Sequence, residues 1–182
     1  LLTSQNGKDY EKALIALNQI GYAVEAFIID AIHFVPQSRP RLFVVGTFRN
    51  GPNEEVCVQG MQESQVRPKS LIDFAKSHTN INWNIRPLPT LPQRSLDLND
   101  IIEPLNEEAQ EWWSYERAAY LLNQMSARHR NIADQMIGGA EWSHGTIFRR
   151  VRNGKTMAEL RTDGVAGCLR TPRGGSGRQI LF

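Results

Sequence analysis

Cysteine is scarce in this chain of 182 residues: Cys57 and Cys168 are the only two, and they stand far apart. Their spacing fits neither a zinc site nor a disulfide framework, so we expect no metal and a reducing, cytoplasmic location. No apolar run approaches the ~20 residues that a membrane span needs. No signal peptide opens the chain, because polar residues follow Leu1-Leu2 at once, and the lack of an initiator methionine suggests a trimmed chain.

Acidic residues are rare at the carboxyl-terminal end. Residues 145–182 contain eight arginines and lysines but only two carboxylates, whereas the whole chain sums to +2, so the preceding part is net acidic. A basic, arginine-rich end beside a mildly acidic body suggests a polyanionic partner for that end. The alternative is a basic face that is merely solvated, because an excess of positive charge accompanies nucleic-acid binding but does not by itself prove it.

The first fifty residues have the pattern of a piece of an α/β sheet. Apolar residues recur at helical spacing over Lys8–Ile20, and Gly21 ends that helix. Tyr22–Ile29 and Arg41–Phe48 have the composition of strands, and the second is so apolar that we expect it to be buried on both faces. One helix and two strands cannot complete such a sheet, so we expect a missing N-terminal half. The expected buried face of the helix comprises Ala13, Leu14, Leu17 and Ile20.

Prolines and turn signals organise the rest of the chain. Three prolines in Arg86–Pro92 exclude regular helix and central strand and predict an extended connector. Asn153-Gly154 lies between Thr146–Arg152 and Lys155–Leu160, two alternating segments, and predicts a β-hairpin. Periodicity predicts short helical stretches at Ser70–Lys76, Leu98–Ile102, Asn106–Trp113 and Glu116–Met125.

The most specific segment is Val35-Pro36-Gln37-Ser38-Arg39-Pro40-Arg41, directly before the apolar strand. Alternation in an extended chain points Gln37, Arg39 and Arg41 to the same side. An arginine at the mouth of an apolar strand needs an acceptor or an anion for its donors. A structural alternative is a pair of arginines that bond to backbone carbonyls and surface carboxylates.

Gly21-Tyr22, a strand, Val-Pro-Gln-x-Arg-x-Arg and an apolar strand ending in glycine together resemble the C5 cytosine DNA methyltransferases over about residues 1–49. The resemblance implies that Arg41 contacts the flipped target cytosine, where a guanidinium donates to the base carbonyl while a thiolate attacks the ring. It also implies that Arg39 and Gln37 orient the loop and approach the DNA backbone. It further implies duplex DNA as partner and S-adenosylmethionine as methyl donor.

Three motifs of that family are missing from this sequence. The Pro-Cys-Gln nucleophile loop, the Phe-x-Gly-x-Gly cofactor loop and the Glu-Asn-Val glutamate do not occur, and neither cysteine stands in a matching context. The cofactor-binding loop is therefore not in this chain. We expect the chain alone to be inactive and the activity to belong to an intact enzyme.

The glycine-rich segment Gly164–Arg178 resembles the target-recognition region of the same family, with Cys168-Leu169 in the place of its Thr-Leu pair. Glycines let a backbone approach a phosphate chain closely, and interleaved arginines supply charge and base-edge donors. A flexible linker is the alternative. The residues expected to contact DNA are Arg170, Thr171, Arg173, Gly174, Gly175, Ser176 and Arg178.

The resemblance implies an α/β fold: the C-terminal piece of a Rossmann-like methyltransferase sheet over residues 1–50, a connector over 51–94, and a small α+β target-recognition domain over 95–182. The leading interpretation is that the chain is part of a DNA cytosine-5 methyltransferase, an enzyme of the kind found in restriction-modification systems. The alternatives are a non-catalytic DNA-binding module and a globular fragment without a function of its own. Uncovered strand edges predict self-association.

Overall fold

The computed structural model describes residues 4–48, 58–169 and 178–182. The chain divides into two compact units: residues 1–30 with 40–91 form unit 1, and residues 31–39 with 92–182 form unit 2. The fold is mixed α/β, with a two-stranded and a three-stranded antiparallel sheet. Its elements are α1 (Lys8–Gln19), β1 (Tyr22–Asp30), β2 (Pro40–Phe48), α2 (Lys69–Ser77), α3 (Tyr115–Leu122), α4 (Ala127–Ile137), β3 (Thr146–Arg152), β4 (Lys155–Arg161) and β5 (Gln179–Leu181).

Helix α1 confirms the predicted helix, and Gly21 after it has a φ of +90°, which glycine adopts without strain. The buried face differs from the prediction. Tyr10 and Leu14 are buried, whereas Ile20 is 64% exposed. Leu17 is half-buried and Ala13 is exposed, so the face is turned toward Tyr10, whose aromatic ring packs on Phe74 at a centroid distance of 4.7 Å.

Strands β1 and β2 pair antiparallel along their whole length, from Tyr22 opposite Phe48 to Asp30 opposite Pro40. Strand β1 is central, because its other edge receives Trp83: Val24 N–H donates to Asn82 O at 2.9 Å, and Asn84 N–H donates to Val24 O at 2.8 Å. Strand β2 is the outer strand of this described sheet. The expectation that β2 is buried on both faces is wrong for this chain.

The core of unit 1 lies between α1, β1 and α2. Leu71 and Ala75 on α2 pack with Trp83 against the buried residues of α1 and β1. Helix α2 confirms the helix predicted over Ser70–Lys76. Residues 86–92 adopt no regular secondary structure, as their prolines predict, and the role of residues 51–94 as a connector stays a prediction.

Unit 2 combines two helices with the three-stranded sheet. The predicted hairpin is confirmed: β3 pairs with β4, and Asn153 and Gly154 have positive φ values of 50° and 74° in the turn. Strand β5 adds to the other edge of β3 and was not expected from the sequence. The core comprises Leu121, Met125, Ala133, Ile147, Ala158 and Leu160.

One helical expectation in unit 2 needs correction, and one helix there was not predicted. Residues 106–113 form turns rather than a helix, because Asn106 accepts the backbone N–H of Glu108 on its side chain at 3.1 Å and the indole N–H of Trp112 on its carbonyl at 2.7 Å. Such local hydrogen bonds compete with helix formation. Helix α4 was missed, although Ser126 caps its start by accepting the N–H of His129 at 3.4 Å.

Candidate functional site

Arg41 stands at the start of β2, opposite Ile29 of β1. Strand pairing fixes its backbone, while its side chain is exposed and its Nη1 donates to Pro40 O at 2.8 Å. A guanidinium has five N–H donors in a fixed fork, so one that is exposed can bind an acceptor from outside the chain in addition to its partners within it. Unit 1 therefore carries the arginine of the sequence motif near one end of its paired strands β1 and β2.

The loop that carries Gln37 and Arg39 belongs to unit 2. It contains a short 3-10 turn, Ala31–His33, and Phe34 N–H donates to Ala31 O at 2.9 Å. Gln37 is half-buried and Arg39 is exposed. The motif is thus divided, with Arg39 in unit 2 and Arg41 in unit 1, and the common direction of the three side chains stays a prediction.

The motif loop is bound to the start of the glycine-rich segment. Ser38 N–H donates to Ala166 O at 2.9 Å, and Ala166 N–H donates to Pro36 O at 2.8 Å. These bonds form a parallel bridge between Gln37 and Ala166. The structure therefore brings together two segments that the sequence singles out separately.

The glycine-rich segment is also fixed at Gly164, whose φ is +70°. Its carbonyl accepts the N–H of Leu98 at 2.9 Å and Nη2 of Arg94 at 2.8 Å. A Cβ at this position would overlap the carboxylate of Asp97. That carboxylate is held by the ion pair with Arg94 at 2.8 Å.

Gly167 lies near the end of the described part of this segment. Its N–H donates to Oε1 of Gln179 at 3.1 Å, and a Cβ on Gly167 would lie 2.7 Å from that oxygen. Cys168 follows, half-buried, with its thiol donating to Leu169 O at 3.6 Å. The expected DNA contacts Arg170, Thr171, Arg173, Gly174, Gly175 and Ser176 lie outside the described residues, whereas Arg178 is described and exposed.

The hairpin of β3 and β4 carries cations that sequence reasoning did not assign to the site. Arg150 and Arg152 are both more than half exposed and share one carboxylate, Glu159, at 3.8 and 2.9 Å. The guanidinium of Arg150 lies 4.6 Å from the centroid of the Phe148 ring. The alternation of Phe148, Arg150 and Arg152 was the available signal. One carboxylate against two arginines leaves this face positive.

Charge in the adjoining turn is balanced. Asp163 accepts both Nε and Nη2 of Arg161, at 2.6 and 2.7 Å. These hydrogen bonds lower the pKa of Asp163 below its ordinary value. The ion pair therefore persists as the pH falls, until the lowered pKa is reached, and it does not add to the positive face at neutral pH.

The histidines of unit 2 have structural partners. Nδ1 of His129 accepts the N–H of Leu160 at 3.3 Å, so this residue joins α4 to β4 rather than standing on the surface. His33 contacts Pro92 O at 2.9 Å through Nδ1, and His144 contacts Oδ1 of Asn99 at 2.9 Å.

Other kinds of site find little support in the part of the chain that the structure describes. No group of three or more His, Cys, Asp or Glu residues there could hold a metal ion, and no helix there is long and apolar enough to cross a membrane. The described residues also lack a glycine-rich turn between a strand and a following helix, the arrangement that cradles a nucleotide cofactor. These residues therefore do not fit S-adenosylmethionine.

Comparison with known proteins identifies the family. Searches of curated proteins and of solved structures find no significant match. The family model described as C-5 cytosine-specific DNA methylase matches residues 1–166, which include both the arginine motif and the start of the glycine-rich segment. Because this match covers most of its length, the chain belongs to the C-5 cytosine-specific DNA methylase family, the family of the DNA cytosine methyltransferases.

Proposed function

We propose that this chain supplies the target-base and DNA contacts of an enzyme that transfers a methyl group from S-adenosylmethionine to C5 of a flipped cytosine in duplex DNA. Family membership supports the reaction class. The observation that carries the proposal is the backbone bridge between Gln37 and Ala166, which binds the arginine motif loop to the glycine-rich segment. The arginine motif loop is then suited to hold the target base, while the glycine-rich segment contacts the DNA strand that carries this base.

Arg41 is assigned to the target base. Its exposed guanidinium at the start of β2 is suited to donate to the carbonyl of a cytosine that has left the stack. A donor held in advance stabilises charge that develops as the ring is attacked. Arg39, exposed in the same motif, approaches the DNA backbone, and Gln37 orients the loop through its bridged backbone.

The glycine-rich segment is assigned to duplex DNA. Its described start is fixed by hydrogen bonds at Gly164 and Gly167, and Arg178 at its end is exposed. The arginines between them supply donors to phosphates and base edges. The methyl donor, S-adenosylmethionine, and the thiolate nucleophile are assigned to the part of the enzyme that carries the motifs missing here.

DNA binding by the purified chain tests the proposed contact. We expect weak binding to duplex DNA with a strong salt dependence, because arginine contacts to phosphates release counterions. Replacing Arg173 and Arg178 together by alanine should lower the slope of log affinity against log salt by about two.

A matched control removes the same charge from unit 1. The Lys8→Ala/Lys12→Ala variant changes two exposed lysines of α1 and should leave the slope unchanged. Fluorescence anisotropy of a labelled duplex over a series of salt concentrations measures both variants. Equal slopes for the wild type and the Arg173/Arg178 variant would overturn the assignment of this segment.

A further inference from the structure

Unit 2 contains a cavity of about 940 Å³, and Arg178 is the one residue of its lining to which the proposed function assigns a role. Its size is near the upper end of the ~300–1,000 Å³ typical of small-molecule pockets. The residues around it come from the segment before α3, from α3, from the loop between α4 and β3, from β3 and from the chain end with β5. All of the described residues that line it belong to unit 2.

One wall of the cavity is aromatic and open to solvent. Trp142 is 85% exposed and Trp112 is 46% exposed, with ring centroids 6.5 Å apart. The indole of Trp112 is held by its hydrogen bond to Asn106 O. The ring of His144 lies 6.4 Å from that of Trp142 between centroids, with the two planes inclined by 24°. Exposed tryptophans gathered at the mouth of a cavity indicate a surface that binds a flat, apolar ring.

The polar wall is mostly cationic. The Nε of Arg149 is buried and has no hydrogen-bond partner among the described residues, so it is a donor suited to an incoming acceptor. Arg117 covers the face of Trp113 at 3.7 Å, and Arg178 completes the cationic side. Glu103 and Glu111 are the carboxylates of the lining, so the arginines leave a net positive charge.

We propose that this cavity binds an unstacked nucleobase of a DNA strand together with its phosphate. The base stacks on Trp142 and Trp112, and a base carbonyl or phosphate oxygen accepts from Arg149. An organic cation would also favour tryptophan faces, but the three arginines oppose it. The proposal rests on the proposed function only in taking DNA as the source of the base.

Tryptophan fluorescence of the full 182-residue chain tests this inference. A six-nucleotide oligothymidylate should quench the emission and bind saturably, because stacked bases quench indole rings. The Trp112→Ala/Trp142→Ala variant should bind this probe, followed by anisotropy of a labelled oligonucleotide, about tenfold more weakly or worse. Trp142→Phe should keep most of the affinity, because phenylalanine retains a stacking face.

Tyr120 provides the matched control. It is 65% exposed on α3 but does not line the cavity, so Tyr120→Ala should leave oligothymidylate binding unchanged. Wild-type affinity in the double tryptophan variant would overturn the proposal. Tighter binding of thymidine monophosphate than of oligothymidylate, or preferential binding of a trimethyllysine peptide, would also overturn it.

Failure of this inference can be distinguished from failure of the proposed function. Duplex binding and its salt slope report on Arg173 and Arg178. Arg178 also lines the cavity, so the base cavity is judged by the Trp112→Ala/Trp142→Ala variant alone, which keeps both arginines. If the Arg173/Arg178 variant keeps the wild-type salt slope and the double tryptophan variant loses oligothymidylate binding, the proposed duplex contact is wrong and the base cavity stands. The reverse result would remove the cavity and keep the duplex contact.

Discussion

At the scale of single residues, Glu25 shows a buried charge that is fully paired. Its side chain is 1% exposed and forms ion pairs with Arg67 and with Nε of Arg86, the latter at 3.1 Å. The backbone N–H of Arg86 also donates to it at 3.1 Å. One carboxylate on β1 thereby holds two distant parts of unit 1, and the side chain of Arg67, only 12% exposed, depends on it for its counter-charge.

Replacing Glu25 by glutamine should destabilise the chain strongly. The substitution keeps the volume but leaves the Arg67 guanidinium without its anion, and breaking a buried pair in this way costs about 3 kcal/mol or more. Urea denaturation monitored by circular dichroism measures the free energy of unfolding.

Glu11→Gln is the matched control, because Glu11 is 32% exposed and lies 3.8 Å from His78. Surface pairs of this kind contribute about 1 kcal/mol or less. Equal losses in the two variants would show that burial of the Glu25 cluster does not govern its contribution.

At the scale of elements, structure follows the sequence where the signal is local. Alternation around Asn153-Gly154 predicted the hairpin, and helical spacing before Gly21 predicted α1. Where an element depends on a contact with residues far away in the sequence, its structure could not be predicted from the local pattern. Strand β5 depends on a partner, β3, far back in the chain, and the apolar composition of β2 does not reveal whether anything covers it.

The candidate site likewise has a part that the sequence reveals and a part that only the structure reveals. The motif Gln37-x-Arg39-x-Arg41 is linear, so the sequence and the family resemblance reveal it. The bridge from Gln37 to Ala166 and the wall of Trp112 and Trp142 join residues remote in sequence. No local pattern marks such pairs, and only the folded chain shows them.

Gly164 gives a test of how the recognition segment is fixed. In the Gly164→Ala variant, the positive φ and the overlap with Asp97 should together cost about 2 kcal/mol or more. Gly154→Ala is the control: its φ is also positive, but its Cβ would meet open space, so we expect about 1 kcal/mol. Urea denaturation should therefore rank Gly164→Ala as the more damaging change, and the opposite ranking would contradict the described packing at Asp97.

At the scale of the whole molecule, exposed apolar surface on β2 predicts self-association. Phe43 is 44% exposed, Val44 38% and Phe48 57%, on the outer strand of the described sheet of unit 1. Such strands pair with other chains. Sedimentation should show concentration-dependent association that Phe43→Lys reduces and the control Tyr120→Lys does not, whereas strictly monomeric behaviour at high concentration would rule the prediction out.

The most direct test of the central claim is the rate of methyl transfer by an intact methyltransferase that contains this chain. The chain alone should transfer no labelled methyl groups to DNA, since the nucleophile and cofactor motifs are missing from its sequence. In the intact enzyme, Arg41→Ala should reduce the single-turnover rate on the order of 100-fold or more, because a preorganised donor to the base is lost. Arg128→Ala, an exposed arginine on α4, should keep the wild-type rate. A wild-type rate in the Arg41→Ala enzyme would contradict the assignment of Arg41 to the target cytosine.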